Sequence, residues 1–224
     1  MGAGGVVHYD KGKSTDDGFQ YASHVSKPPS WLLAKVASLQ SKQRTHKGTS
    51  MMMEYIRDVQ EYVSKEDDLV EYVFPGRECD KLFRWDSPHI GGENCSQCDM
   101  TALVSRRHRD KPAVHYGLIA SGSQIIRSAK RRDELRAQRN ILCFETEAVG
   151  LMDDFPCLVI RGISDYADSH KDDLWQGYAA ITSAAYARDL LRTIKRQEVE
   201  EEETAIAVTE RCKTLLVCAG RSLD

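Results

Sequence analysis

Val114-His115-Tyr116-Gly117-Leu118-Ile119-Ala120 is an apolar run that ends in a turn of small residues, Ser121-Gly122-Ser123. Two further apolar runs end in polar residues in the same way. Ile141-Leu142-Cys143-Phe144 leads into Glu145-Thr146-Glu147, and Cys157-Leu158-Val159-Ile160-Arg161-Gly162-Ile163 leads into Ser164-Asp165. Short continuous apolar runs bounded by turn residues predict strands buried on both faces. Helical patterns separate them: a charged helix over about 124–138, a short apolar helix after Glu147, and a long Ala-rich helix from Tyr178 to Lys195. This alternation predicts an α/β fold with a mainly parallel sheet. Ligands of such sheets collect outside the carboxyl ends of the strands. Ser121–Ser123, Glu145–Glu147 and Ser164-Asp165 therefore share one rim, where capping is the plain alternative, since Ser and Asp favour N-caps and Glu the first turn. Two features point beyond caps. Asp165 follows directly on a buried strand, where desolvation raises a carboxyl pKa and suits it to proton donation. Glu145 and Glu147 bracket one residue, so one can meet a ligand while the other packs or caps.

Working outward, Gly4-Gly5-Val6-Val7-His8-Tyr9-Asp10 reads as a short strand entered through glycines. Pro28-Pro29-Ser30 precedes Trp31, Leu32, Leu33, Val36 and Leu39 at helical spacing, with Ser30 as N-cap. Met52, Tyr55, Ile56, Val59 and Val63 predict an amphipathic helix over 51–63. Residues 74–110, rich in Pro, Gly, Cys and charge, read as a long insertion. The expected organisation is one domain over 1–197, including that insertion, followed by an acidic linker and tail over 198–224, which carries a weak helical pattern.

The chain has 224 residues, 31 basic against 34 acidic, for a net charge of −3. That balance argues against nucleic acid as a partner. No apolar run reaches the length of a membrane span, and Met1-Gly2-Ala3-Gly4-Gly5-Val6 fits neither a secretory signal nor a myristoylation site, so no membrane is expected either. Seven cysteines in a chain of this length point to reduced thiols inside the cell, with the cytoplasm as the expected location.

Other signals have bland readings beside sharper ones. Cys95-Ser96-Gln97-Cys98, with Cys79 and His89 upstream, offers four zinc ligands, yet the irregular spacing and single C-x-x-C favour a loop with unpaired thiols. Arg127, Lys130, Arg131, Arg132, Arg136 and Arg139 are interleaved with Asp133 and Glu134 and read as a solvated helix face. His115 reads as a core histidine and His170 as either a site-orienting group or a loop contact. Trp175 and Tyr178 read as packing anchors for the last helix.

The stretch from His115 to Leu191 resembles the C-terminal part of the purine nucleoside phosphorylase and methylthioadenosine/adenosylhomocysteine nucleosidase superfamily. The likeness is strongest to a filamentous-fungal branch that often precedes NACHT, ankyrin or tetratricopeptide regions. His115–Gly122, Cys143-Phe144-Glu145-Thr146-Glu147-Ala148 and Arg161-Gly162-Ile163-Ser164-Asp165-Tyr166-Ala167-Asp168-Ser169-His170 carry it, with Trp175 and Tyr178-Ala179-Ala180. Gly4–Lys13 and Pro28-Pro29 resemble that branch's middle section. The resemblance implies a three-layer α/β/α nucleoside phosphorylase-like fold with a mixed, mainly parallel sheet, here without its N-terminal part.

The implied reaction is cleavage of the N-glycosidic bond of purine nucleosides. Asp165 matches the family's acid near N7 of the departing base, and Glu147 the carboxylate that binds the ribose hydroxyls. Thr146 stands where the family usually has Met, and Glu145 completes the ribose segment. By position Ser123, Ile125, Ile126 and Ser164 lie against the base. The resemblance implies no metal at this site and no cofactor, with phosphate as co-substrate in phosphorolysis, a purine nucleoside as ligand and a homo-oligomer as the assembly. No glycine-rich phosphate loop precedes Gly4, so the chain is expected to lack a holder for the attacking phosphate or water. The rival reading is a degenerate module of a larger fungal multidomain protein that binds a nucleoside or a protein partner without turnover.

Overall fold

The structure, a computed structural model, describes residues 4–21, 25–45, 51–92, 94–107, 109, 111–170 and 173–200. Strand β1 (Gly5–His8) is followed by the exposed hairpin of β2 (Gly12–Thr15) and β3 (Gly18–Tyr21), and β4 (Val25–Ser26) returns antiparallel to β1. Two helices follow, α1 (Ser30–Thr45) and α2 (Met51–Val63). After the insertion come β5 (Leu118–Ser121), α3 (Ala129–Arg139), β6 (Ile141–Glu145), α4 (Ala148–Asp154), α5 (Gln176–Leu191) and α6 (Arg196–Glu200). The sheet order is β4-β1-β5-β6; β1, β5 and β6 are parallel and β4 is antiparallel. The mainly parallel sheet is what the alternation predicts, and its mixed character is what the resemblance implies.

Side-chain alternation along the strands builds the layers, because successive residues point to opposite faces. Val6 and Ile119 face α4 through Ala148 and Met152. Val7, Tyr9, Ala120 and Ile141 face the other way, onto Leu135 of α3. Helices α1, α2 and α5 form a third cluster around Leu39, Tyr55, Ile56, Tyr186 and Leu190. No helix among the described residues is long and apolar enough to cross a membrane.

Residues 157–163 depart from the sequence reading. They are not paired into the sheet among the described residues. Their alternation nevertheless survives: Cys157 and Val159 pack on the α4 cluster, Leu158 and Ile160 on the α1/α2/α5 cluster. A partly buried apolar run packed on two sides thus serves as a seam between layers rather than as a ladder strand. Gly162 lies so close to α5 that a Cβ would sit 2.0 Å from the Ala179 carbonyl oxygen.

Three other expectations shift. Residues 114–117 precede β5 rather than belonging to it, and His115 is exposed, not a core residue. Helix α3 begins at Ala129 instead of near 124, because the Ser128 hydroxyl accepts from the Arg131 amide and caps it while Ile126 packs into the core beneath. It ends at Asn140, whose left-handed backbone (φ 54°) closes the helix. The tail beyond residue 200 lies outside the described residues.

Candidate functional site

Parallel register fixes the rim. His8 pairs with Ser121, and Ser121 with Glu145, so the three strands end side by side. The segments that follow are tied across the gaps. Asp10 accepts from the Ser123 amide at 2.6 Å and its hydroxyl at 2.8 Å, and its other oxygen lies 3.2 Å from His8 Nε2. Burial pushes the Asp10 carboxyl up, but the Ser123 hydrogen bonds and His8 outweigh it and hold the carboxyl below its usual range. Gly122 is needed here, since a Cβ would lie 2.6 Å from the Asp10 carboxylate. Sequence reasoning left His8 and Asp10 out of the site. Their signal was the polar end of the first apolar run, the same pattern that marked the other three segments.

Glu145 and Glu147 diverge as their spacing predicts. Glu145 is buried, and its carboxylate accepts from the amides of Glu147 at 3.0 Å and Ala148 at 2.9 Å. The buried Ser121 hydroxyl accepts from Val149 at 3.0 Å. Together they satisfy the first open amides of α4, the role of a helix cap. Glu147 is left facing solvent. Its Oε2 lies 2.9 Å from Arg161 and its Oε1 accepts from the Thr146 hydroxyl. The Thr146 hydrogen bond and then the Arg161 guanidinium hold the Glu147 carboxyl below its usual range.

Asp165 sits in the turn that follows the 157–163 seam. It accepts from the Ala167 amide at 2.8 Å, and the Ser164 hydroxyl is 3.5 Å from its other oxygen. Ala167 takes a left-handed conformation (φ 52°) in that turn. Ser123 and Ile125 are exposed on the rim, whereas Ile126 packs into the core under α3.

Arg132 holds the turn in place, which corrects its reading as a solvated residue. Its guanidinium donates to the Tyr166 carbonyl at 2.8 Å and lies 3.5 Å from the buried Asp168. Arg131 and Arg139 likewise lie over the Tyr21 ring. The insertion packs onto the same turn. Tyr166 donates to Asp80, Trp175 donates to the Cys79 carbonyl, and Phe74 meets both Trp175 and Tyr178 edge-on. Trp175 and Tyr178 are therefore packing anchors, as expected.

His89, Cys98 and His170 bring their ligand atoms within 4.8 Å of one another, a group that could hold a metal ion. Of the four ligands the sequence offered, Cys79 and Cys95 are not among them, and His170 joins instead. A cleft of about 300 Å³ opens beside this cluster, lined by Arg84, Trp85, Arg127, Lys130 and the Asp168–His170 turn. The cleft borders the Asp165 turn without including Asp165 or Glu147.

The rim joins carboxylates, small hydroxyls and exposed apolar groups at the strand ends of a parallel sheet, the place where α/β proteins bind small polar ligands. The chain is 40% identical over 198 residues to a nucleotide-binding leucine-rich repeat (NLR)-like protein of Hyaloscypha variabilis, covering 88% of this chain and 19% of that protein. It is 36% identical over 110 residues to the ATP nucleosidase Cap17 of Escherichia coli, covering 45% of this chain and 22% of that protein. The chain thus spans about a fifth of the length of these relatives. No family model matches it, and no solved structure does.

Proposed function

We propose that this chain forms part of a nucleosidase-like domain that cleaves the N-glycosidic bond of a purine nucleoside or nucleotide. The observation that carries the reading is the division of labour at the rim: Glu145 caps α4, and Glu147 is left as an exposed carboxylate beside the Ser121–Ser123 turn. Similarity to a relative named as an ATP nucleosidase supports it, and makes adenine nucleotides the first substrates to test. Arg84, Arg127 and Lys130 around the neighbouring cleft suit a phosphorylated ligand.

In this reading Asp165 gives its proton to N7 of the base as the bond from C1′ breaks and its electron pair leaves with the purine. A water or a phosphate oxygen attacks C1′, and with water the released proton restores the acid. Glu147 accepts from the ribose hydroxyls; the Thr146 and Arg161 bonds leave each of its oxygens a further lone pair. Glu145 positions Glu147, Thr146 borders the sugar, and Ser123, Ile125 and Ser164 border the base, with Ile126 supporting that turn from the core. Among the described residues β6 is an edge strand, which supports self-association. A second reading, a sensor module that binds without turnover, is favoured by the NLR-like relative and by the partners already on Glu147.

Base release from ATP, adenosine and inosine, followed by chromatography, separates the two. Asp165→Asn should lower turnover by about 10²–10⁴-fold with little change in binding. Glu147→Gln should weaken ribosides more than 2′-deoxyribosides. Ligand binding without base release in the native chain selects the sensor reading, and unchanged turnover in Asp165→Asn removes Asp165 as the acid.

A further inference from the structure

We propose that His89, Cys95, Cys98 and His170 form a structural zinc site that clamps the insertion onto the turn carrying Asp165. Cys98 Sγ lies 3.3 Å and Cys95 Sγ 3.9 Å from His89 Nδ1. Ligands at tetrahedral zinc, with Zn–S near 2.3 Å and Zn–N near 2.0–2.1 Å, stand about 3.5 Å apart. Ligand atoms of His89, Cys98 and His170 lie mutually within 4.8 Å, and Cys95, outside that trio, adjoins it through His89 as the fourth ligand. The C-x-x-C pair on a single turn is the usual way a chain offers two thiolates to one zinc.

The imidazoles are oriented as ligands are. His89 Nε2 lies 3.2 Å from the Gly92 carbonyl oxygen, which assigns the proton to that nitrogen and leaves Nδ1 to face the thiols. His170 Nδ1 lies 3.7 Å from the Asp168 carboxylate, and Asp168 is held in turn by Arg132 and the His170 amide. A carboxylate or carbonyl behind each ligating histidine is the common outer shell of zinc sites. His170 Nε2, on a side chain only 4% exposed, is buried with no hydrogen-bond partner among the described residues. An unpaired buried acceptor is costly, and a metal ion is what that nitrogen lacks.

The surroundings call for such a clamp. Residues 74–107 hold an isolated bridge between Phe83 and Leu103 and short 3₁₀ turns, with a core of Phe83, Cys98 and Ala102. The Phe83 ring stacks on His170 at 4.0 Å, and the His89 amide donates to the Ser169 hydroxyl 80 residues away. Three buried side chains among the described residues are too few to order a segment of this length, and zinc is the staple that small core-poor units use. The proposal does not depend on the nucleosidase reading.

The test uses the full chain, purified reduced and without chelator. Metal analysis should find about one zinc per chain, and exchange into cobalt(II) should give the visible bands of a tetrahedral site with a thiolate charge-transfer band. Cys98→Ser and His170→Asn should lose the zinc, Cys79→Ser should keep it, and Asp168→Asn should weaken zinc affinity about 10–100-fold. If a ligand variant fails to fold, the cobalt spectrum of the native chain decides. A folded, reduced chain that takes up no zinc, a cobalt complex without the thiolate band, or full zinc retention in Cys98→Ser would each overturn the proposal.

Discussion

The insertion of residues 74–107 packs on the turn from Asp165 to His170, whereas the rim of β1, β5 and β6 reaches that turn through Arg132 of the neighbouring α3. Different forces hold the two regions. The rim rests on a parallel ladder whose underside is closed by Val7, Ala120, Leu135 and Ile141, all almost fully buried. The insertion rests on point contacts: one small apolar cluster, the aromatic group of Phe74, Trp175 and Tyr178, and polar ties from Tyr166 to Asp80 and from His89 to Ser169. Ladder and core spread their stabilisation over many atoms, whereas point contacts concentrate it in a few. The rim should therefore unfold only with the whole domain, and the insertion should open by itself.

Paired truncations are the strongest way to break that contrast. Leu135→Ala leaves a cavity under the rim and should cost about 2–5 kcal/mol of global stability, read as a lower denaturant midpoint. Phe83→Ala removes the ring stacked on His170 and should cost a similar amount locally. Hydrogen exchange should then show amides of residues 77–105 losing protection while those of β5 and β6 keep theirs. If both variants deprotect the two regions together, the insertion belongs to the same cooperative unit as the sheet.

Arg132→Met tests the joint between the regions. It strips the Tyr166 carbonyl and the buried Asp168 of their partner. Leaving these groups short of a partner should cost about 1–3 kcal/mol. The loss should appear as faster exchange in the Asp165–His170 turn, with α3 itself intact. A stability unchanged from the native chain would mean that the insertion alone holds the turn.

The same contrast governs what could be read from residues alone. Elements set by local pattern were legible. Helix α2 spans Met51–Val63 as its apolar spacing predicts, and β6 covers the expected run from Ile141. The divergence of Glu145 and Glu147 also followed from their spacing. Features set by distant partners were not legible. The seam at 157–163 has the composition of a buried strand, and only tertiary packing decides that it bridges two clusters instead of joining the ladder. Arg132 lies in a charged helix that looks solvated until the Asp168 turn folds over it. His170 joins His89 and Cys98 only through the closure of a long loop, for which neither segment carries a local sign.

The smallest effect expected concerns Thr146, the residue that departs from the resembled family. Its hydroxyl donates to Glu147 Oε1 and, with Arg161, holds that carboxyl below its usual range. A group whose folded pKa is depressed contributes stability at pH above the ordinary carboxylate range, and the contribution fades as pH falls through the folded value. Glu147 is largely exposed, so solvent screens the effect and it should amount to only a few tenths of a kcal/mol. Thr146→Val keeps the shape and deletes the donor. Titration of the Glu147 carboxyl by NMR should show its pKa moving up toward the usual range, with near-neutral stability unchanged within about 0.5 kcal/mol. If the pKa does not move, Arg161, the neighbouring backbone and Glu145 set the charge of Glu147, and the Thr146 hydroxyl is free to be a sugar contact and nothing more.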